Sequence, residues 1–151
     1  MSLLLKQKVR DRCILLLEKR IAFARQAMTT AQESANNDDK SSAGDKYETS
    51  RAMGHLERDM NAKQLVKAQQ ELESLLKLPV ASHNTMIIPS SLISTNHGIY
   101  FIGAGLGKLE IDGITVTVLS PKAPMAVALL GHRINDEITF NNRKFRVMDI
   151  F

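Results

Sequence analysis

Residues 36–48 read NNDDKSSAGDKYE, a polar, acidic run whose only aliphatic side chain is Ala43. It interrupts two long stretches that both carry a helical pattern, so its reading decides the fold of everything around it. Upstream, Ile14, Leu17, Ile21, Ala24, Met28, Ala31 and Ala35 advance in steps of three and four, with no proline or glycine among them. That is the spacing of a coiled-coil seam. Downstream, Met53, Leu56 and Met60 restart the pattern, and Leu65, Ala68, Leu72 and Leu75 continue it. The phase slips around Asn61–Lys63, as at a stutter.

A short connection between two such segments predicts an antiparallel helical hairpin. Each helix is expected to run about 30 residues, roughly 45 Å at about 1.5 Å per residue. A finger of that length is expected to project rather than wrap a core. Pro79 stops the second helix, which sets residues 1–79 as an N-terminal coiled-coil finger and 80–151 as a C-terminal domain.

Beyond Met86 the period changes to two. SLIST, GIYFIG, KLEIDGITVTVLS, DEITF and KFRVMDIF are rich in β-branched and aromatic residues and are separated by turn formers. Asp112–Gly113 suits a primed hairpin turn, and FNNRKF predicts a second. Between them APMAVALLG reads as a helix of about two turns, opened by Pro124 and ended by Gly131. The fold class is therefore α+β: an N-terminal antiparallel coiled-coil hairpin, then a small, mostly antiparallel β-sheet domain with one short helix.

The composition is that of a water-soluble chain, 44% hydrophobic and 24% charged, with 5% aromatic residues and no tryptophan. So few rings argue against base stacking as the main binding device. Cys13 is the single cysteine, which excludes an internal disulfide framework or a multi-cysteine zinc site and fits a reducing cytoplasm. No run approaches the roughly 20 apolar residues of a membrane span, and the N-terminal residues lack the pattern of a secretory signal. The formal charge of +4 permits contact with nucleic acid or an acidic protein surface without demanding it.

Few residues point to chemistry of the chain's own. GAGLG at 103–107 lacks the following helix and the lysine and threonine of a phosphate-binding loop and reads as a turn or bulge. His55, His83, His97 and His132 are scattered without metal-ligand spacing and read as surface histidines. Cys13 has Arg10 and Arg12 nearby but no partner histidine, and reads as helix packing.

The charge distribution says more. Residues 1–32 hold seven basic residues (Lys6, Lys8, Arg10, Arg12, Lys19, Arg20, Arg25) against Asp11 and Glu18. Residues 33–48 hold five carboxylates (Glu33, Asp38, Asp39, Asp45, Glu48) against Lys40 and Lys46. A basic shaft with an acidic end suits insertion into a negatively charged channel whose far end holds a metal ion. Carboxylates are hard oxygen donors for Mg²⁺, and delivered to a site already holding one metal they can retain a second for phosphodiester hydrolysis. The competing reading is a solvated turn, for which Asn, Asp, Ser and Gly are ordinary residues.

The C-terminal stretch APMAVALLGHRINDEITF resembles the Gre family of bacterial transcript-cleavage factors. Pro124, Ala128, Leu129, Leu130, Gly131 and Asp136 fall on the family's pattern of proline, short helix, Ala-Leu-Leu-Gly and Gly-Asp turn, with Asn135 in place of the glycine. FRVMDIF is similar to the family's final strand. The resemblance implies a coiled-coil finger followed by an FKBP-like domain that docks at RNA polymerase. It also implies that the finger enters the polymerase's secondary channel, where acidic tip residues support cleavage of backtracked RNA.

The family's tip motif carries two acidic positions ahead of a tyrosine. Aligned on Tyr47, these fall on Lys40 and Ala43, so the nearest carboxylates are Asp38, Asp39 and Asp45. The expected site is therefore Asp38, Asp39 and Asp45 as tip and metal-contacting residues, acting only in complex with polymerase and with its Mg²⁺, and no tightly bound cofactor of the chain's own. Lys19, Arg20, Arg25, Pro124, Leu130, Gly131 and Asp136 are the expected partner contacts. The expected partners are RNA polymerase and the transcript in the elongation complex, with no membrane and a monomeric chain. The alternatives are a regulator that occupies the channel without stimulating cleavage, a prolyl isomerase with a coiled-coil arm, and a chaperone-like protein gripping a partner through its shaft.

Overall fold

The computed structural model describes residues 2–38, 44–79 and 84–151. Two long helices, α1 (Leu3–Asp38) and α2 (Gly44–Lys77), precede six strands and a short helix. The strands are β1 (Leu92–Thr95), β2 (Gly98–Ile102), β3 (Gly107–Ile111), β4 (Ile114–Leu119), β5 (Glu137–Phe140) and β6 (Arg143–Ile150), with α3 (Pro124–Leu129) between β4 and β5. Both long helices run into the polar segment: α1 continues through Asn36–Asp38, and α2 is already helical at Gly44. The break is thus shorter than its composition implies, because asparagine, aspartate and serine weaken a helix by only a fraction of a kcal/mol each, to about 0.7 at most.

Spatially the chain divides into one compact unit of Met1–Leu15 with Glu71–Phe151 and another of Leu16–Gln70. The sequence boundary at 79/80 follows the chain, whereas the first unit gathers the outer ends of both long helices with the sheet.

Within that first unit the strand order is β3-β4-β2-β1-β6-β5. Local hairpins account for most of it. Asp112 and Gly113 both have positive φ (52° and 77°), as do Asn141 and Asn142 (49° and 61°), so both predicted turns have the primed geometry whose twist matches paired strands. The exception to antiparallel pairing is β2 with β4, which run parallel, so the sheet is mixed. GAGLG carries the chain two strand positions outward, so that β4 returns from β3 into the space beside β2. Gly103 N–H donates to the Leu119 carbonyl (2.8 Å), closing that crossover.

One sheet face packs α3 through Met125, Ala126 and Leu129 onto Ile93, Ile102, Phe145, Val147 and Ile150. Strand alternation sends Leu92, Phe101, Val116 and Val118 to the other face, where all four are buried. Among the described residues, contacts tie the ends of the long helices to this part of the unit. Lys8 pairs with Asp112 in the β3–β4 turn, Glu71 Oε2 accepts the Gly105 N–H (2.9 Å), and Leu75 closes on Gly103. A Cβ at Gly103 would lie 3.1 Å from Leu75 Cδ1 and 2.6 Å from Phe101 Cε1.

In the unit Leu16–Gln70, Leu17, Ala24, Ala31 and Ala68 are buried. The phase of α2 differs from the sequence expectation. Met53, Leu56 and Met60 are 65%, 63% and 56% exposed and do not form the seam. The half-buried positions are instead Gly54, His55, Arg58, Asn61, Ala62 and Leu65, which lead without a slip into Ala68 and Leu72. The stutter disappears because polar side chains hold the inner face: Arg58 Nη1 donates to Gln32 Oε1 of α1 (3.1 Å). Arginine lays its aliphatic stem along a partner helix while its head finds an acceptor.

Candidate functional site at the acidic end of the hairpin

Asp38 is the last residue of α1 and Asp45 the second of α2. Asp39 lies outside the described residues, as do the placements of the Asp38 and Asp45 side chains. Two of the three tip aspartates thus lie at the end of one long helix and the start of the next, with five residues of chain between Asp38 and Gly44. Glu33 and Glu48, one turn or more back from these ends, are exposed. Among the described residues no group of three His, Cys, Asp or Glu side chains is placed to hold a metal ion.

The basic residues of the first helix do not form one continuous shaft. Lys6, Lys8, Arg10 and Arg12 belong to the unit that contains the sheet. Lys6 is buried at 1% exposure, with burial holding its ammonium below the usual lysine range, and Lys8 is engaged by Asp112. Arg10 is half-buried with its Nε sealed from solvent. Lys19, Arg20 and Arg25 remain on the hairpin, all exposed. Across residues 16–70 the sequence holds nine basic residues and eight acidic ones, close to balance. The segregation of charge is local: three cations lie along α1, and Asp38 and Asp45 lie at the adjoining helix ends.

Of the expected contacts in the sheet unit, Pro124 and Gly131 are exposed and Leu130 and Asp136 are half-buried. Pro124 is exposed at the first position of α3, whereas Leu130 packs against the core. Gly131 takes φ 85°, a conformation natural to glycine, and its N–H donates to the Ile87 carbonyl (2.9 Å). Asp136 Oδ2 accepts the Arg133 N–H (2.7 Å) and lies 3.3 Å from His132 Nδ1. The Arg133 N–H, foremost, holds its carboxyl below the usual range against the opposing effect of desolvation, with lesser help from His132 and the Arg133 charge. Asn135, standing where the resemblance has glycine, has φ 73°; asparagine is among the few residues that adopt this region readily.

Sequence reasoning missed one polar clamp. Asn96, in the β1–β2 turn, accepts the Arg146 N–H at Oδ1 (2.8 Å) and donates to the Lys144 carbonyl from Nδ2 (3.3 Å). His97 Nε2 lies 3.0 Å from that same carbonyl, and its ring sits edge-on to Phe145 with centroids 4.9 Å apart. The β1–β6 register shifts at Ser94/Thr95; a bulge leaves backbone groups unpaired, and these side chains satisfy them. An asparagine two residues before a glycine was the only signal. Of the other histidines, His55 and His132 are half-buried and His83 lies outside the described residues. Cys13 is fully buried, which pushes its thiol up to about 12 and makes it inert, as packing requires.

No family model matches the chain, and no curated protein matches it. Among solved structures, the chain is similar to one described as the structure of the transcription factor Gfh1, at 18% identity and a TM-score of 0.33, over 93% of this chain and 92% of that one.

Proposed function

We propose that the chain is a Gre-like regulator of bacterial RNA polymerase, an accessory factor with no reaction of its own. The sheet unit, FKBP-like in the resemblance, docks at the mouth of the secondary channel, with Pro124 as an exposed contact and Gly131 and Asp136 shaping the turn beside it. Lys19, Arg20 and Arg25 follow the negatively charged channel, and Asp38, Asp39 and Asp45 approach the catalytic Mg²⁺, which the polymerase supplies. There the carboxylates help retain a second metal ion for hydrolysis of backtracked RNA.

One observation carries the reading: two helices of 36 and 34 residues persist into the acidic segment. A helix end presents its residues on a stiff support, and metal-assisted hydrolysis demands placement within about 0.5 Å. The shifted register, with Lys40 and Ala43 where the family's acidic positions fall, favours a second outcome in which the finger occupies the channel without stimulating cleavage.

Pull-down of RNA polymerase at moderate salt tests the partner, and absence of binding removes the reading. Incubating stalled elongation complexes with the protein and Mg²⁺ separates the two outcomes. Shortened RNA that disappears when Asp38, Asp39 and Asp45 are replaced by Ala, with binding intact, supports the metal role; unchanged cleavage by that variant refutes it.

A further inference from the structure

We infer that Arg58 is a positioning residue of the hairpin: through Gln32 it fixes the axial register of the two long helices, a register in which α2 leads α1 and the acidic end is carried on a single helix. Arg58 Nη1 donates to Gln32 Oε1 (3.1 Å), which sets these residues near one level of the hairpin. Asp38 lies six residues beyond Gln32 on α1, and Asp45 thirteen beyond Arg58 on α2. At about 1.5 Å per residue the two arms reach roughly 9 Å and roughly 20 Å past that contact, so α2 begins about 10 Å ahead of the end of α1. Exposure agrees with the overhang. Every residue from 48 to 53 is exposed, a run longer than one helical turn and therefore without a buried face. Among the described residues of α2, inward positions begin at Gly54.

The side chains between the helices leave this task to the hydrogen bond. Ala27, Met28 and Ala31 of α1, and Gly54, Asn61 and Ala62 of α2, are the buried or half-buried neighbours of the pair. Alanine and glycine are knobs too small to key into a hole on the facing helix, so a slip of one turn costs this stretch little apolar burial. On such a seam a polar side chain that must meet its partner specifies the register. Gln32 is itself held: its Nε2 donates to Asn36 Oδ1 (3.1 Å), one turn nearer the tip on α1. Under the proposed function, on which this one consequence rests, the register puts Asp45 ahead of Asp38 on the way to the Mg²⁺. The register itself is a property of the free chain and is tested there.

Inter-label distances in the full chain, read by double electron–electron resonance with the buried Cys13 silent, are the test. One pair of spin labels sits at Ser34→Cys and Glu57→Cys and a second at Ser34→Cys and Ser50→Cys, all exposed positions. Residues 50 and 57 share one face of α2 about two turns apart, so the two pairs differ along the axis alone. The first distance is expected to be the shorter, and both to be narrowly distributed; the reverse order, which marks helix ends drawn level, would overturn the overhang. Arg58→Leu and Gln32→Ala, each with unchanged helical circular dichroism, should broaden the distances or displace them by about one turn, about 5 Å. Exchange of the pair, Gln32→Arg with Arg58→Gln, should restore them. An altered thermal midpoint with unmoved distances is what a merely structural Arg58 would give, and it overturns the proposal, as does an exchanged pair that stays displaced. None of these readings involves polymerase, so failure of the proposed function leaves them standing.

Discussion

Replacing Leu56 by Ala should cost the hairpin far less than replacing Leu17 by Ala, although both leucines sit on the expected seam. Leu17 has no exposed surface, whereas Leu56 is 63% exposed. Full burial of a leucine is worth about 1.5–3 kcal/mol, so the remaining third of Leu56 is worth roughly 0.5–1 kcal/mol. The helix preference of alanine returns a few tenths of a kcal/mol of that. At Leu17 the lost transfer energy and the cavity act together, for about 3–5 kcal/mol. In urea, with a slope of about 2 kcal/mol/M, the Leu17 variant should unfold roughly 1.5–2.5 M earlier and the Leu56 variant within about 0.5 M of wild type. Both measurements are followed by helical circular dichroism. Equal losses would mean that the seam does pass through Leu56 and that the inner face built on Arg58 and Gln32 is wrong.

Other outcomes are equally concrete. Gly103→Ala must displace Phe101 or Leu75, because the new Cβ would meet Phe101 Cε1 at 2.6 Å; a cost of about 1–3 kcal/mol is expected, seen as a lower thermal midpoint, and an unchanged midpoint would contradict the packing of this face. Cys13, buried and with its thiol pushed up to about 12, should resist iodoacetamide at pH 8 in the native state and react once urea unfolds the chain; rapid native labelling would refute its burial. The depressed carboxyl of Asp136 contributes stability at pH values above its unfolded value, and that contribution is lost as pH falls through the lower folded value. Asp136→Asn should therefore be less stable than wild type near neutrality and converge with it in acid, and a pH-independent difference would argue against the carboxylate's role in the Arg133 turn.

The sheet unit was legible where the determinants are local. Period-two runs bounded by Asp112–Gly113 and Asn141–Asn142 define strands and turns because positive φ confines the choice of residue. The parallel pairing of β2 with β4 was not legible, since it depends on which edge is free when the chain returns from β3, a non-local matter. The α2 phase misled for a physical reason. Met53, Leu56 and Met60 are more apolar than His55, Arg58 and Asn61, yet the latter face inward. Side-chain hydrogen bonding and aliphatic stems can hold a helix interface that hydropathy alone does not reveal. Lys6 misled in the same way: counted with the shaft's cations, it is buried in the unit that holds the sheet. At the candidate site, composition located the acidic turn, and the helices narrow the break by running through Asp38 and from Gly44.

The claim that the acidic end of the hairpin reaches the polymerase active site is tested most directly by a photo-cross-linking residue at Ser41 in stalled elongation complexes. The proposed function predicts cross-links to the 3′ portion of the RNA and to the polymerase's catalytic subunit near its Mg²⁺, suppressed by excess unmodified protein. Cross-links confined to the outer surface of the polymerase, or none at saturating protein, would contradict it.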